Sequence, residues 1–112
     1  MGFRDHVDLQ VSEGVVVLDA ADQHLNPHGT VHGGAIATLI DAAMGAAVHR
    51  EDTNDAAPVT IEMKVTYLEP AKPGEVRAAA KVRKRGRRIT IVEAEVTQED
   101  ELIALALATF TS

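Results

Sequence analysis

Asp41 is the only Asp, Glu, Lys or Arg between Asp22 and Arg50, in a stretch made otherwise of apolar, small and uncharged polar residues. A carboxylate left unpaired in such surroundings is costly. It must therefore have dedicated hydrogen-bond partners or be placed for chemistry. A second signal lies just upstream, where Asn26-Pro27-x-Gly29-x-x-His32-Gly33-Gly34 runs directly into the start of a predicted helix. The first amides of a helix lack intrahelical partners and its dipole favours negative charge there. A glycine at that point bares its N–H to a ligand.

Two other groups of residues carry chemical possibilities. His24, His28 and His32 recur every four residues, a spacing that stacks metal ligands on a helix. Pro27, Gly29 and Gly33 argue against a helix there, so no metal site is expected. The run Arg83-Lys84-Arg85-Gly86-Arg87-Arg88 is the one dense basic cluster. It reads either as a solvated hairpin tip or as a binding site for phosphates, which Arg contacts in bidentate fashion.

The elements that must position these residues are legible from periodicity. Val7, Leu9 and Val11 alternate with polar residues, Ser12-Glu13-Gly14 supplies a turn, and Val15 to Leu18 resumes, which predicts a hairpin. A loop is expected from Ala21 to about His32. From Gly33 the period changes, with Ile36, Leu39, Ile40, Ala43, Met44, Ala47 and Val48 on one helix face. The opposite side carries Thr38, Asp41, Ala42, Gly45 and His49, where a solvated helix would show Lys and Glu. This helix is expected to be covered on both sides, the second cover being a partner subunit.

After a polar connection from Glu51 to Pro58, residues Val59, Ile61, Met63, Val65 and Tyr67 alternate with Thr60, Glu62, Lys64 and Thr66. The first set is expected to face the core. Strands over Val76 to Lys84, Arg88 to Thr97 and Leu102 to Phe110 follow, separated by short turns. The order ββαββββ with hairpin links predicts an α+β domain, one antiparallel sheet of about six strands around one helix. No repeat or linker interrupts residues 1–112, so a single domain is expected.

With 46% hydrophobic and 25% charged residues, the composition is that of a soluble globular domain, small enough for oligomerisation to be expected. A net charge of -6 argues against a general nucleic-acid binder, so any anion site must be local. The absence of Cys excludes disulfides and thiolate catalysis. Neither a signal peptide nor a membrane span is expected, and the protein is read as cytoplasmic.

The segment N-P-H-G-T-V-H-G-G-A-I-A-T-L-I-D resembles the signature of hotdog-fold thioesterases of the phenylacetate-degradation type: an Asn, a His-Gly-Gly step, and an acidic residue nine positions after the His. V-T-I-E-M-K-V-T-Y-L-E-P-A-K-P-G-E resembles the family's strand and turn, and G-R-R-I-T and A-L-A-T-F match its last hairpin loosely. Members commonly carry a longer segment before the first strand than the few residues preceding Val7, and it often helps shape the acyl pocket.

The resemblance implies an acyl-CoA thioesterase without cofactor, CoA entering as part of the substrate. It implies Asp41 as general base or nucleophile and the Gly33 amide as oxyanion donor. Asn26 would position the carbonyl or water, His32 would lie near the sulfur, and Thr60 would orient the water. Arg85, Arg87 and Arg88 become candidates for the CoA phosphates. The family also implies a homodimer or dimer of dimers with sites between chains. A hotdog hydratase or dehydratase is the nearest alternative, but it pairs its carboxylate with a close His, and here the helix offers only His49. A noncatalytic acyl-CoA-binding module is the third. The acyl group stays open among aromatic, short-chain and medium-chain esters.

Overall fold

A computed structural model describes residues 9–12, 14–49 and 58–111. The expected strand residue Val7, the turn residue Glu13 and all of the 51–58 connection except Pro58 lie outside them. The chain runs β1 (Leu9–Ser12), β2 (Val15–Ala20), a 3-10 turn (Asp22–His24), α1 (Gly33–Val48), β3 (Thr60–Tyr67), β4 (Gly74–Arg85), β5 (Ile89–Gln98) and β6 (Glu101–Thr111). The strands form one six-stranded sheet in the order β1-β2-β4-β5-β6-β3, antiparallel at every pairing. This is the hotdog architecture, one helix held in a curved sheet. Among the described residues no helix is long and apolar enough to cross a membrane.

Helix α1 exists because its apolar residues repeat at three and four. Ile36, Leu39, Ile40, Ala43, Met44 and Val48 are buried on the sheet. Its bed is small: Ala78, Ala94, Ala104, Ala106 and Ala108 are buried on the inner faces of β4, β5 and β6 and let the helix backbone approach closely, while Val76, Val92, Val96 and Phe110 fill the flanks. Gly14, between β1 and β2, is required by the packing, since it has φ 83° and a Cβ there would lie 2.8 Å from the Ala80 carbonyl oxygen.

Strand β3 differs from the sequence expectation. Val59 and Ile61, expected in the core, are 61% and 54% exposed, and Tyr67 is 51% exposed. For Val59 and Ile61 the cause is a bulge: Thr60 pairs with Phe110 and Glu62 with Thr109, which leaves Ile61 unpaired and shifts the alternation by one residue, while Tyr67 keeps step with Met63 and Val65 and is exposed at the strand's end. Met63 and Val65 keep the inner face, and Thr60 joins them in place of Ile61. A second bulge falls between Val82 and Lys84, where Arg83 is the extra residue. It puts Arg85 opposite the buried Thr90, on the helix side of the sheet.

Candidate functional site

The N-terminus of α1 is bare. Its N-cap, His32, has extended backbone (φ -53°, ψ 137°) and gives no side-chain cap. Among the described residues neither the Gly33 nor the Gly34 amide donates a backbone hydrogen bond, whereas the next two amides, Ala35 and Ile36, both donate to the His32 carbonyl. Space is not the reason for these glycines. A Cβ on Gly34 would meet nothing within 4 Å, and one on Gly33 would rest 3.5 Å from the Tyr67 ring, an ordinary contact. Glycine inside a helix is less favourable than alanine by roughly 0.5–1 kcal/mol. Helix formation alone does not call for them.

Two turns along, the carboxylate of Asp41 is half-buried and accepts a hydrogen bond of 2.6 Å from the Thr60 hydroxyl at Oδ1. Among the described residues this is its one side-chain bond. Such a short O–H···O⁻ contact is charge-assisted and fixes the carboxylate rotamer, while Oδ2 has no bond among the described residues. It exists because the β3 bulge turned Thr60 inward. Gly45, one turn beyond Asp41, again has nothing within 4 Å of where a Cβ would be, so the helix face carrying Asp41 is left shallow.

Asn26 is spent on its own loop. Its Oδ1 accepts from the His28 and Thr30 amides at 2.9 and 3.3 Å, and its Nδ2 donates to Thr30 Oγ1 at 2.8 Å. One of its two amide hydrogens stays outside these contacts. The loop is pinned at both ends, with the His32 amide on the His24 carbonyl and the Val31 amide on that of Ala71. Beside Gly33 lies an open hollow of about 280 Å³, walled by Val31, Ile36, Tyr67, Leu68 and Ile103. The histidines do not stack: His24 is buried in the 3-10 turn, His28 is exposed in the loop and His32 is exposed at the helix start. No group of three or more His, Asp or Glu able to hold a metal occurs among the described residues.

Residues 28–104, more than half of the chain, match the family model described as Thioesterase superfamily. The chain belongs to the thioesterase superfamily. It is 36% identical over 80 residues to acyl-coenzyme A thioesterase 13 of Mus musculus, an alignment covering 70% of this chain and 56% of that protein. The chain thus spans about half the length of such curated relatives. Solved structures are covered more fully. A Bacillus halodurans protein determined with CoA superposes with TM-score 0.88 at 31% identity, over 96% of this chain and 73% of that one. A point mutant of the phenylacetic acid degradation protein PaaI of Thermus thermophilus gives 0.86 at 29% identity over 97% and 96%.

In this superfamily member the sequence-predicted residues fall into three places along α1. Asn26, His32 and Gly33 gather at its N-terminus, Asp41 and Thr60 meet at its middle, and the basic turn lies at its C-terminus. There Arg85 Nη1 donates to the Val48 carbonyl at 3.0 Å, capping the helix, while Arg87 and Arg88 are exposed at the tip. Arg83 pairs with Glu93 at 3.2 Å. Sequence reasoning places Tyr67 only as a core-facing strand residue, yet its hydroxyl donates to the Gly33 carbonyl at 2.8 Å. A tyrosine ending an amphipathic strand, with an apolar ring and a polar tip, is the signal that could have found it.

Proposed function

We propose that this chain hydrolyses acyl-CoA thioesters, with Asp41 as the carboxylate that drives attack and the Gly33 amide as the oxyanion donor. The observation that carries the reading is the Thr60–Asp41 bond of 2.6 Å, in which a hydroxyl from β3 holds a carboxylate of the same helix whose first amides are uncapped. In the general-base route Oδ2 takes a proton from a water lying between it and the thioester carbon. The water oxygen bonds to that carbon, and the negative charge forming on the carbonyl oxygen is met by the Gly33 N–H. Collapse breaks the C–S bond and releases CoA thiolate, which recovers the proton from Asp41. Alternatively Asp41 itself bonds to the carbon, the C–S bond breaks to release CoA thiolate, and water then cleaves the resulting anhydride to free acid and the Asp41 carboxylate, its released proton going to the thiolate. Thiolate is a good leaving group, so neither route calls on a metal or cofactor.

Distance supports a site shared between two copies. Gly33 and Asp41 are eight residues apart on α1, about 12 Å along its axis. A carbonyl within hydrogen-bond reach of the amide, attacked by a water on Asp41, bridges that separation poorly within one chain. Across a twofold axis, Asn26, His32 and Gly33 of one copy would face Asp41 and Thr60 of the other. The shallow face at Gly45 admits such an approach. The same arrangement would bring the Arg87–Arg88 tip, at the C-terminal end of α1, toward the N-terminal end of the facing helix, where CoA phosphates could meet it. Arg85, which caps Val48, is the weaker phosphate candidate.

The deciding experiment is thiol release over a panel of aromatic, short-chain and medium-chain acyl-CoAs. Steady turnover with free acid and CoA as products is expected. Binding without turnover would make the chain a binding module, and a changed acyl group without free thiol would make it a hydratase.

A further inference from the structure

Tyr67 ends β3 with its hydroxyl on the Gly33 carbonyl at 2.8 Å and its ring against Gly33. The residue is half exposed, so burial does not force this bond, because water could serve the hydroxyl. Nor does the carbonyl lack a partner, since a first-turn helical carbonyl already accepts from the amide four residues on. The phenol is therefore a second donor on one oxygen, which has two lone pairs for the purpose. What it changes is the other end of the same planar peptide, the Gly34 N–H. Electron density drawn toward the carbonyl oxygen makes that N–H a stronger donor, by about 10–30% per added bond in hydrogen-bonded chains. Gly34 is one of the two amides that stay uncommitted among the described residues, and no Cβ shields it.

We propose that Tyr67 is a positioning residue that fixes and polarises the Gly33–Gly34 peptide, so that the Gly34 amide stands beside that of Gly33 as a second oxyanion donor. This rests on the hydrolysis proposed above and deepens it. The backbone is held from outside the helix, which spares the helix start a side-chain cap that would occupy the very amides the oxyanion needs.

Tyr67 is the only tyrosine in the chain, so biosynthetic fluorotyrosine incorporation alters one hydroxyl, making it more acidic and a better donor. Tyr67→Phe removes the hydroxyl and keeps the ring. At a pH that leaves the phenol protonated, kcat for acyl-CoA hydrolysis is expected to rise in the order Phe, Tyr, fluorotyrosine. The Phe variant should fall about tenfold below Tyr, with KM within about twofold. The carbonyl stretch of a bound, non-hydrolysable ketone analogue of the acyl-CoA should move to lower frequency in the same order. Fluorotyrosine and tyrosine proteins alike in both rate and frequency would reduce Tyr67 to a packing residue and overturn the proposal. So would a frequency that ignores all three. A graded frequency in a protein that releases no thiol would sink the hydrolase reading and leave this one standing. Normal hydrolysis indifferent to the series would do the reverse.

Discussion

The two ends of α1 are treated in opposite ways. At its C-terminus Arg85 reaches across from β4 to the Val48 carbonyl, and the His49 amide closes on Gly45. At its N-terminus, among the described residues, no side chain caps, two glycine amides are left open, and the Tyr67 side chain attending it holds a carbonyl rather than an amide. A helix built for stability alone would be capped at both ends, each cap being worth about 1 kcal/mol. The end that is closed has no part in the proposed bond-making steps, and the end that is open is the one proposed for chemistry.

The most severe way to break that contrast is to delete the open amide without disturbing the helix. Proline is favoured at the first helical position, where its missing N–H is not required, and the extended His32 suits a following proline. Gly33→Pro is therefore expected to leave the melting temperature nearly unchanged and to lower kcat by about 10²- to 10³-fold. Activity within a fewfold of wild type would place the oxyanion donor elsewhere.

Asp41→Asn should lower turnover by about 10²-fold while acyl-CoA binding, measured by calorimetry, survives. Whether the open end and Asp41 serve one site across two chains is sharpened by refolding Asn26→Ala and Asp41→Ala chains together. Random pairing into twofold dimers puts both lesions in one site of each mixed dimer and none in the other. About a quarter of wild-type activity is then expected, from mutants that are nearly inactive alone. Activity remaining at the level of the separate mutants would put Asn26 and Asp41 in the same site of one chain.

The smallest effects are expected at the closed end. Arg87→Ala with Arg88→Ala should raise KM for CoA esters several-fold more than KM for a short thioester without the nucleotide, with kcat and urea stability little changed. Arg85→Ala should instead lower stability by about 1 kcal/mol in urea titration, through loss of its bond to Val48. A pattern the other way round would make Arg85 the phosphate ligand.

Much of this fold could be read from periodicity. The helix, the succession of strands along the chain and the place of Asp41 follow from apolar spacing and from one charge standing alone, both local properties, whereas the pairing of β3 with β6 in place of the expected hairpin with β4 is a long-range choice. What periodicity could not reveal are the bulges at Ile61 and Arg83. Each is set by pairing with a neighbouring strand, β6 for Ile61 and β5 for Arg83, and each reverses the facing of the residues beyond it. They deliver two polar contacts to the helix, Thr60 to Asp41 and Arg85 to Val48. The alternation Val59, Ile61, Met63 predicts the opposite face for Thr60. The loop is legible as a helix entry. The binding of Asn26's amide to its own turn depends on the folded loop and is not.

The chain has no tryptophan and one tyrosine, and that tyrosine leans on Gly33. Its ultraviolet emission therefore comes chiefly from a single ring at the mouth of the hollow, bonded through its hydroxyl to the peptide that would be disturbed on binding. The unlabelled protein carries a built-in optical probe of occupancy. Quenching or enhancement on adding a thioester analogue can be followed in a stopped-flow cell, giving the rate of arrival at this end of the helix separately from the rate of thiol release.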